Sequence, residues 1–383
     1  MSVKIRVRNY RVLRRVDWNL PPGVCVLVGP NGSGKTTLLT VLAMLRIAYL
    51  RGIPAAIDSQ GGSWELRHWE AEPEDPISVS LEVDDLSWEL KLSVRGASVD
   101  ERAGERLTRG EEVILRRESF SDHIVYRDED WPLPSGNGNH GDARVALRRV
   151  YEDRLDVEFD PLVTALTGSR VYSLYNLRKL INSGSQYGTD LYLHPSGENV
   201  FTVIRNWTGR RDCRHRYQFV LESLRDAFPD ICEDIEFEAA GQIVTANMIP
   251  PGTEKRIPMR FAPNGWLVAL LHLCAVAGAK PGSVVAIDEM ENSLHPYAIR
   301  SLTAAFQDWA RQGNLTILLA THSPVLIDQF KEEPSRVFIM QPGRDLIPIR
   351  LTDEFAPDWL AHFSLGELFA HESFGGPRDD INS

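Results

Sequence analysis

The sequence predicts an α/β protein with a parallel β-sheet, an attached antiparallel β meander and a mostly helical insert. Three stretches carry that prediction. VCVLVGPNGSGKTTLLTVLAML, from Val24, reads as an apolar strand, a glycine loop and an apolar helix. VVAIDEMEN, from Val284, is an apolar run that ends in Asp288 and Glu289. LTILLATHSPVLID, from Leu315, is another apolar run, ending in Thr321, His322 and Ser323. Short unbroken apolar runs of this kind, rich in β-branched residues, read as buried strands.

The glycine loop sets the chemistry. Gly29, Pro30, Asn31, Gly32, Ser33, Gly34, Lys35 and Thr36 match GxxxxGK[ST], and Thr37 follows at the start of the helix. A strand before and a helix after are the context that a phosphate-binding P-loop requires. Its glycines let the backbone curl so that N–H groups point inward at phosphate oxygens. The helix N-terminus adds partial positive charge. Lys35 is placed to reach the β- and γ-phosphates of ATP, and the Thr36 hydroxyl to meet Mg²⁺.

Such a loop needs an acidic strand tip beside it to position the metal. Asp288 is the expected magnesium holder, and Glu289 the expected general base for the attacking water. A histidine at the carboxyl end of a parallel strand lies where phosphates bind. His322 is therefore the expected γ-phosphate sensor. Alone, it would read as a structural histidine.

Between these stretches, 77–83, 86–94, 112–118 and 123–127 have strand length and form the expected meander. Residues 132–142, PLPSGNGNHGD, are a loop by composition. From about 143 to 230 the signals are mostly helical, broken at Pro161, Gly184, Pro195 and Gly197. IEFEA, QIVTANM and KRIPMRF are short strands leading back to the core. The expected division is an N-terminal lobe over 1–142, a lid over 143–255 and a C-terminal lobe over 256–383. The prolines and glycines exclude a long coiled coil, which needs sustained heptads.

Bulk properties bound the rest. The chain has 383 residues, 43% of them hydrophobic and 25% charged, which is enough for a large core. No apolar run reaches membrane-spanning length. The basic N-terminus lacks the apolar block of a signal peptide, so a cytoplasmic location is expected. Cys213 and His215 form a CxH without a second metal-like pair, which gives zinc little support. The net charge is −11, yet basic residues cluster in the first fifty-odd positions and again at Arg205, Arg210, Arg211, Arg214 and Arg216. These clusters read either as solvated faces or as a nucleic-acid surface.

GPNGSGKTTLL, VVAIDEMENSLHP and LLATHSPVLID, in that order, resemble the ABC-type ATPase heads of the SMC, RecF and OLD group. The opening RVRNYRVLRRVDWNLPPGVCVLVGPNGSGKT is similar to those heads too. The likeness is nearest to the single-chain OLD-like AAA ATPases of bacterial phage-defence modules. It covers about 1–50 and 260–345 well and the middle loosely. It implies a P-loop ABC-type head with a lid, and a homodimer or higher homo-oligomer that closes head to head on ATP. A signature loop from one subunit then contacts the other's nucleotide. Here that place reads FAPNGWLVALLHL: Asn264 and Gly265 are the expected contacts, and Pro263 stands where the family has serine. Glu291 to His295 match the loop near the dimer seam, where His295 reads equally as a helix-start residue. Gln60 and Gln186 are positional candidates for the glutamine that such heads turn toward magnesium. About forty residues follow RVFIMQ, too few for the TOPRIM nuclease of full OLD proteins, so a nuclease or toxin effector is expected on a separate polypeptide. The stretch 365–376 reads as a docking helix or as one packed on the head. The alternative function is a RecF-like DNA-repair head that binds DNA through the basic N-terminal face. A transporter ATPase and a non-hydrolysing scaffold fit less well.

Overall fold

The structure is a computed structural model. It describes residues 1–72, 74–95, 98–99, 103–119, 121, 123–131, 144–154, 156–341, 347–371 and 374. The expected loop at 132–142, the end of the 365–376 stretch, and Asp379 and Asp380, a weak acidic pair that reads in the sequence as a tail rather than a metal site, lie outside the described residues.

The central sheet has six strands among the described residues, ordered Arg170–Tyr172, Val284–Asp288, Thr316–Thr321, Gly23–Val28, Val337–Ile339 and Ile349–Arg350. All neighbours run parallel except the last pair. Both faces are covered, and the two-residue period of a strand divides its side chains between two cores. Cys25 and Leu27 enter one core, whereas Val24, Val26 and Val28 enter the other. Ala286 and Ile287 divide in the same way, as do Leu318 and Leu319.

An eight-stranded antiparallel sheet covers the first core. Its strands Val3–Tyr10 and Leu13–Leu20 lead into Ile77–Val83 and the meander. Clean alternation drives it: Val3, Ile5 and Val7 are buried, and Lys4 and Arg6 face outward. The meander contains a strand that sequence reading passed over, Gly104–Arg109, between Leu86–Leu92 and Glu112–Arg117. GERLTR is polar by count, but Glu105 is buried and paired with Arg117, at 2.7 Å.

The segment expected as one helical lid divides in space. The helices Ala146–Arg154 and Asp160–Gly168 send Leu147, Val150, Leu162 and Leu166 into the first core, and the strand Arg170–Tyr172 extends the central sheet. These helices are amphipathic, and the P-loop helix Lys35–Arg51 gives their apolar stripe a partner. The part packed on the second core comprises the helices Leu177–Ser183, Val200–Gly209 and Arg214–Ala227. With them stands a small sheet built on the hairpin Asp234–Ala240 and Ile243–Ile249. Trp207 lies fully within this core, with Nε1 donating to the Leu191 carbonyl at 3.1 Å, so it is a packing residue.

The C-terminal helix Leu365–Ala370 packs on the head through Leu365 and Leu368. Part of the N-terminal basic cluster is neutralised across the sheet. Lys4 meets Asp17 at 2.7 Å, Arg6 meets Glu82 and Arg14 meets Glu70 at 3.2 Å.

Candidate functional site

The P-loop strand Gly23–Val28 sits between Thr316–Thr321 and Val337–Ile339, so its end is held on both sides. The Met340 N–H donates to the Val28 carbonyl at 2.7 Å. A Cβ on Gly29 would stand 2.1 Å from the Met340 carbonyl oxygen, so glycine alone fits this close approach. The loop ends at Gly34, which caps the helix Lys35–Arg51 with φ 87°. Ser33 Oγ is buried without a hydrogen-bond partner among the described residues.

Lys35 folds back over the loop, donating to the Gly29 carbonyl at 2.7 Å and the Pro30 carbonyl at 3.0 Å. It is buried, and burial lowers its pKa to about 8, against the opposing pull of Asp288, Glu289 and Glu291. Thr36 Oγ1 donates to Asp288 Oδ2 at 2.7 Å, across 252 residues of sequence. Burial raises the Asp288 pKa, while the Thr36 hydrogen bond lowers it and Glu289 raises it further.

Glu289 leaves the strand with φ 53°, a left-handed conformation uncommon for a side-chain-bearing residue. Two bonds over-determine it: its N–H donates to the Ala320 carbonyl at 2.8 Å, and Asn292 Nδ2 donates to Glu289 Oε2 at 2.6 Å. The carboxylate is exposed to the cavity. His322 faces the same cavity, and burial followed by nearby Lys35 lowers its pKa, which favours the neutral ring.

Lys35, Thr36, Asp288, Glu289 and His322 therefore surround one cavity of about 250 Å³, whose floor is the loop from Asn31 to Thr37. One contributor, Val12, and one contact of Glu291, which the sequence places in the loop near the dimer seam, were not foreseen. Val12, in the turn between the first two strands, lines the cavity as an apolar wall. Glu291 Oε1 accepts the His322 N–H at 2.7 Å, tying the acidic loop to the histidine strand. Nothing in NYRVLRR or EMEN considered alone signals either contact.

Other candidates lie elsewhere. Asn264 and Gly265 do not line the cavity; they open the helix Asn264–Ala277. A Cβ on Gly265 would meet the Ser293 carbonyl oxygen at 2.5 Å, so this turn abuts the loop after Glu291. His295 caps the helix Pro296–Gly313, with its ring accepting from the Tyr297 N–H at 3.3 Å. Gln60 is buried under Tyr10, whose hydroxyl donates to Oε1 at 3.1 Å, and Gln186 lies in the small sheet of the lid. Neither lines the cavity.

Residues 24–328, which hold this glycine loop, lysine and threonine–aspartate pair, match one family model, described as "AAA domain, putative AbiEii toxin, Type IV TA system". The chain belongs to this AAA family. Over 92% of its length it also superposes on 99% of an SMC head solved bound to the C-winged helix domain of ScpA, with TM-score 0.53 and 10% identity. That likeness shows that the chain has the fold of an SMC head. Among curated relatives, the DNA replication and repair protein RecF of Herpetosiphon aurantiacus is 35% identical over 57 residues, 15% of this chain and 14% of RecF. RecF of Roseiflexus castenholzii is 46% identical over 41 residues, 11% of this chain and 10% of RecF. The matched part is thus a small fraction of either RecF. This AAA-family chain has no helix among its described residues long and apolar enough to cross a membrane.

Proposed function

We propose that this chain binds and hydrolyses ATP with Mg²⁺, closes head to head with a second copy, and regulates a separate effector. The observation that carries the proposal is the Thr36–Asp288 hydrogen bond at 2.7 Å, inside the cavity shared by Lys35, Glu289 and His322. A hydroxyl and a buried carboxylate side by side are the hard oxygen donors that magnesium accepts alongside phosphate oxygens. The orphaned Ser33 hydroxyl in the loop is a further polar group suited to a phosphate.

Thr36 and Asp288 would hold the metal, which when bound offsets charge on the phosphate oxygens. Loop N–H groups between Asn31 and Thr37, other than that of Ser33, which donates to the Pro30 carbonyl, orient the phosphates, and Lys35 turns from its two carbonyls to the γ-phosphate. Glu289, fixed by Asn292, accepts the proton of the attacking water. Neutral His322 donates a hydrogen bond to the γ-phosphate from a position set by Glu291. Asn264 and Gly265 lie outside their own chain's cavity, and that placement supports a role toward the nucleotide of a second copy. The family description names a putative toxin and a TA system, which is compatible with a toxin as that effector; action in anti-phage defence is part of the proposal itself.

The test is nucleotide binding and turnover with and without Mg²⁺. Wild type should turn ATP over, chelation should abolish turnover, and Lys35→Ala should weaken binding at least tenfold. Chelator-insensitive turnover, or equal binding by Lys35→Ala, would overturn the proposal.

A further inference from the structure

We infer that this chain carries a second site, a basic and aromatic strip that binds a single strand of nucleic acid and reaches the strand ends opposite the nucleotide. Within twelve positions stand Arg205, Arg210, Arg211, Arg214 and Arg216, with Asp212 the one acid among them. Arg210 is engaged by Asp212 at 2.8 Å. The other four have no carboxylate partner among the described residues. In the N-terminal cluster, Lys4, Arg6 and Arg14 do have carboxylate partners. Four uncompensated guanidiniums on a chain of net charge −11 are a local anion-binding surface.

The strip has built hollows at both ends. Arg205 and Arg210 line a cleft of about 440 Å³ with Asn206, Thr208 and Thr189. Arg205 also lies over the exposed Tyr187 ring, 5.0 Å from its centroid. The helix Arg214–Ala227 then carries the strip to a second hollow of about 230 Å³, where Arg216 and His215 stand beside Trp309, Pro281 and Gln312. His215 stacks on Trp309 at 5.8 Å and 16°, and Phe219 at 4.2 Å and 29°. Phe219 and His215 are one helical turn apart, so they brace the indole from one side of the same helix. Arginines spaced between aromatic platforms suit phosphates alternating with flat bases.

The location separates this strip from the ATP site. Pro281 precedes the strand Val284–Asp288, and Gln312 precedes Thr316–Thr321. The nucleotide cavity lies at the other ends of those same strands. Five or six residues of strand put the two sites roughly 15–20 Å apart at least. The strip therefore does not serve the ATP phosphates.

The test is binding of a fluorescent single-stranded oligonucleotide to the full chain without ATP, so that failure of hydrolysis does not affect it. With four phosphate contacts on a single strand, affinity should fall about fiftyfold from 50 to 200 mM salt. The exposed-surface variant Arg211→Ala/Arg214→Ala/Arg216→Ala should bind at least tenfold more weakly, with a flatter salt dependence and unchanged ATP turnover. Trp309→Ala should lose about fivefold or more on the oligonucleotide through lost stacking, and nothing on heparin, which has charge but no bases. Absence of binding at 50 mM salt would overturn the inference, as would equal binding by the triple arginine variant. So would a Trp309→Ala variant that keeps full affinity for the oligonucleotide, because the surface would then read charge alone.

Discussion

Lys35 couples the site to pH. Burial brings its pKa to about 8 in the free protein, and a γ-phosphate stabilises the protonated form. The bound pKa therefore lies above the free one. Affinity from this charge is fully present below about pH 8 and is lost as pH rises through that value. ATP affinity measured by titration should be flat between pH 6.5 and 7.5 and weaken by up to about tenfold per unit above 8. Lys35→Ala should flatten the profile. The Thr36–Asp288 pair makes a second prediction. Thr36→Val removes a donor oxygen while keeping shape, so the Mg²⁺ concentration for half-maximal turnover should rise at least about tenfold. Each of these residues was legible in the sequence, because a P-loop and an acidic strand tip are written in contiguous residues. The contacts that aim them were not. Glu291 reaches the His322 N–H across 31 residues, and the left-handed turn at Glu289 has no glycine to announce it.

Among the elements, buried strands were the easiest to read. Gly23–Val28, Val284–Asp288 and Thr316–Thr321 are buried along almost their whole length and apolar between their ends because both faces are covered. The strand Gly104–Arg109 was hidden because its inward carboxylate, Glu105, is satisfied by Arg117 and by the N–H groups of Ala146 and Leu147. The helices over 146–168 read as lid because periodicity shows an apolar face without showing what it meets. The approach of the helix Asn264–Ala277 to the loop at Ser293 makes a prediction at this scale. Gly265→Ala places a Cβ 2.5 Å from a backbone oxygen, so one of the two must shift. This variant should retain nucleotide binding and lose ATP-dependent association, compared by titration and by light scattering. Asp328 makes another. Its Oδ1 accepts from Ser364 Oγ at 2.7 Å and from the Gly366 N–H at 2.8 Å, fastening the C-terminal helix beside the segment that follows His322. Asp328→Ala should cost about 1–3 kcal/mol in chemical unfolding, the range for stranding such donors.

At the scale of the whole molecule, the central sheet organises everything. Its strands' carboxyl ends carry the nucleotide cavity, and near their opposite ends lies the hollow where the arginine strip reaches Arg216. The Gly265 turn and the loop at Ser293 share a surface next to a hollow lined by Asn31, Asn292 and His322. A second copy seated there would bring its own Asn264 and Gly265 toward the γ-phosphate, with Pro263 contributing no N–H. In the proposed cycle ATP drives this pairing and hydrolysis releases it. The most direct measurement is ATP turnover together with molar mass in solution, for wild type and Glu289→Gln. Removing the base while keeping its shape should abolish turnover and trap a larger, ATP-bound species, whereas wild type cycles. A Glu289→Gln variant that still turns ATP over, or a mass that never changes with ATP in either protein, would contradict the account.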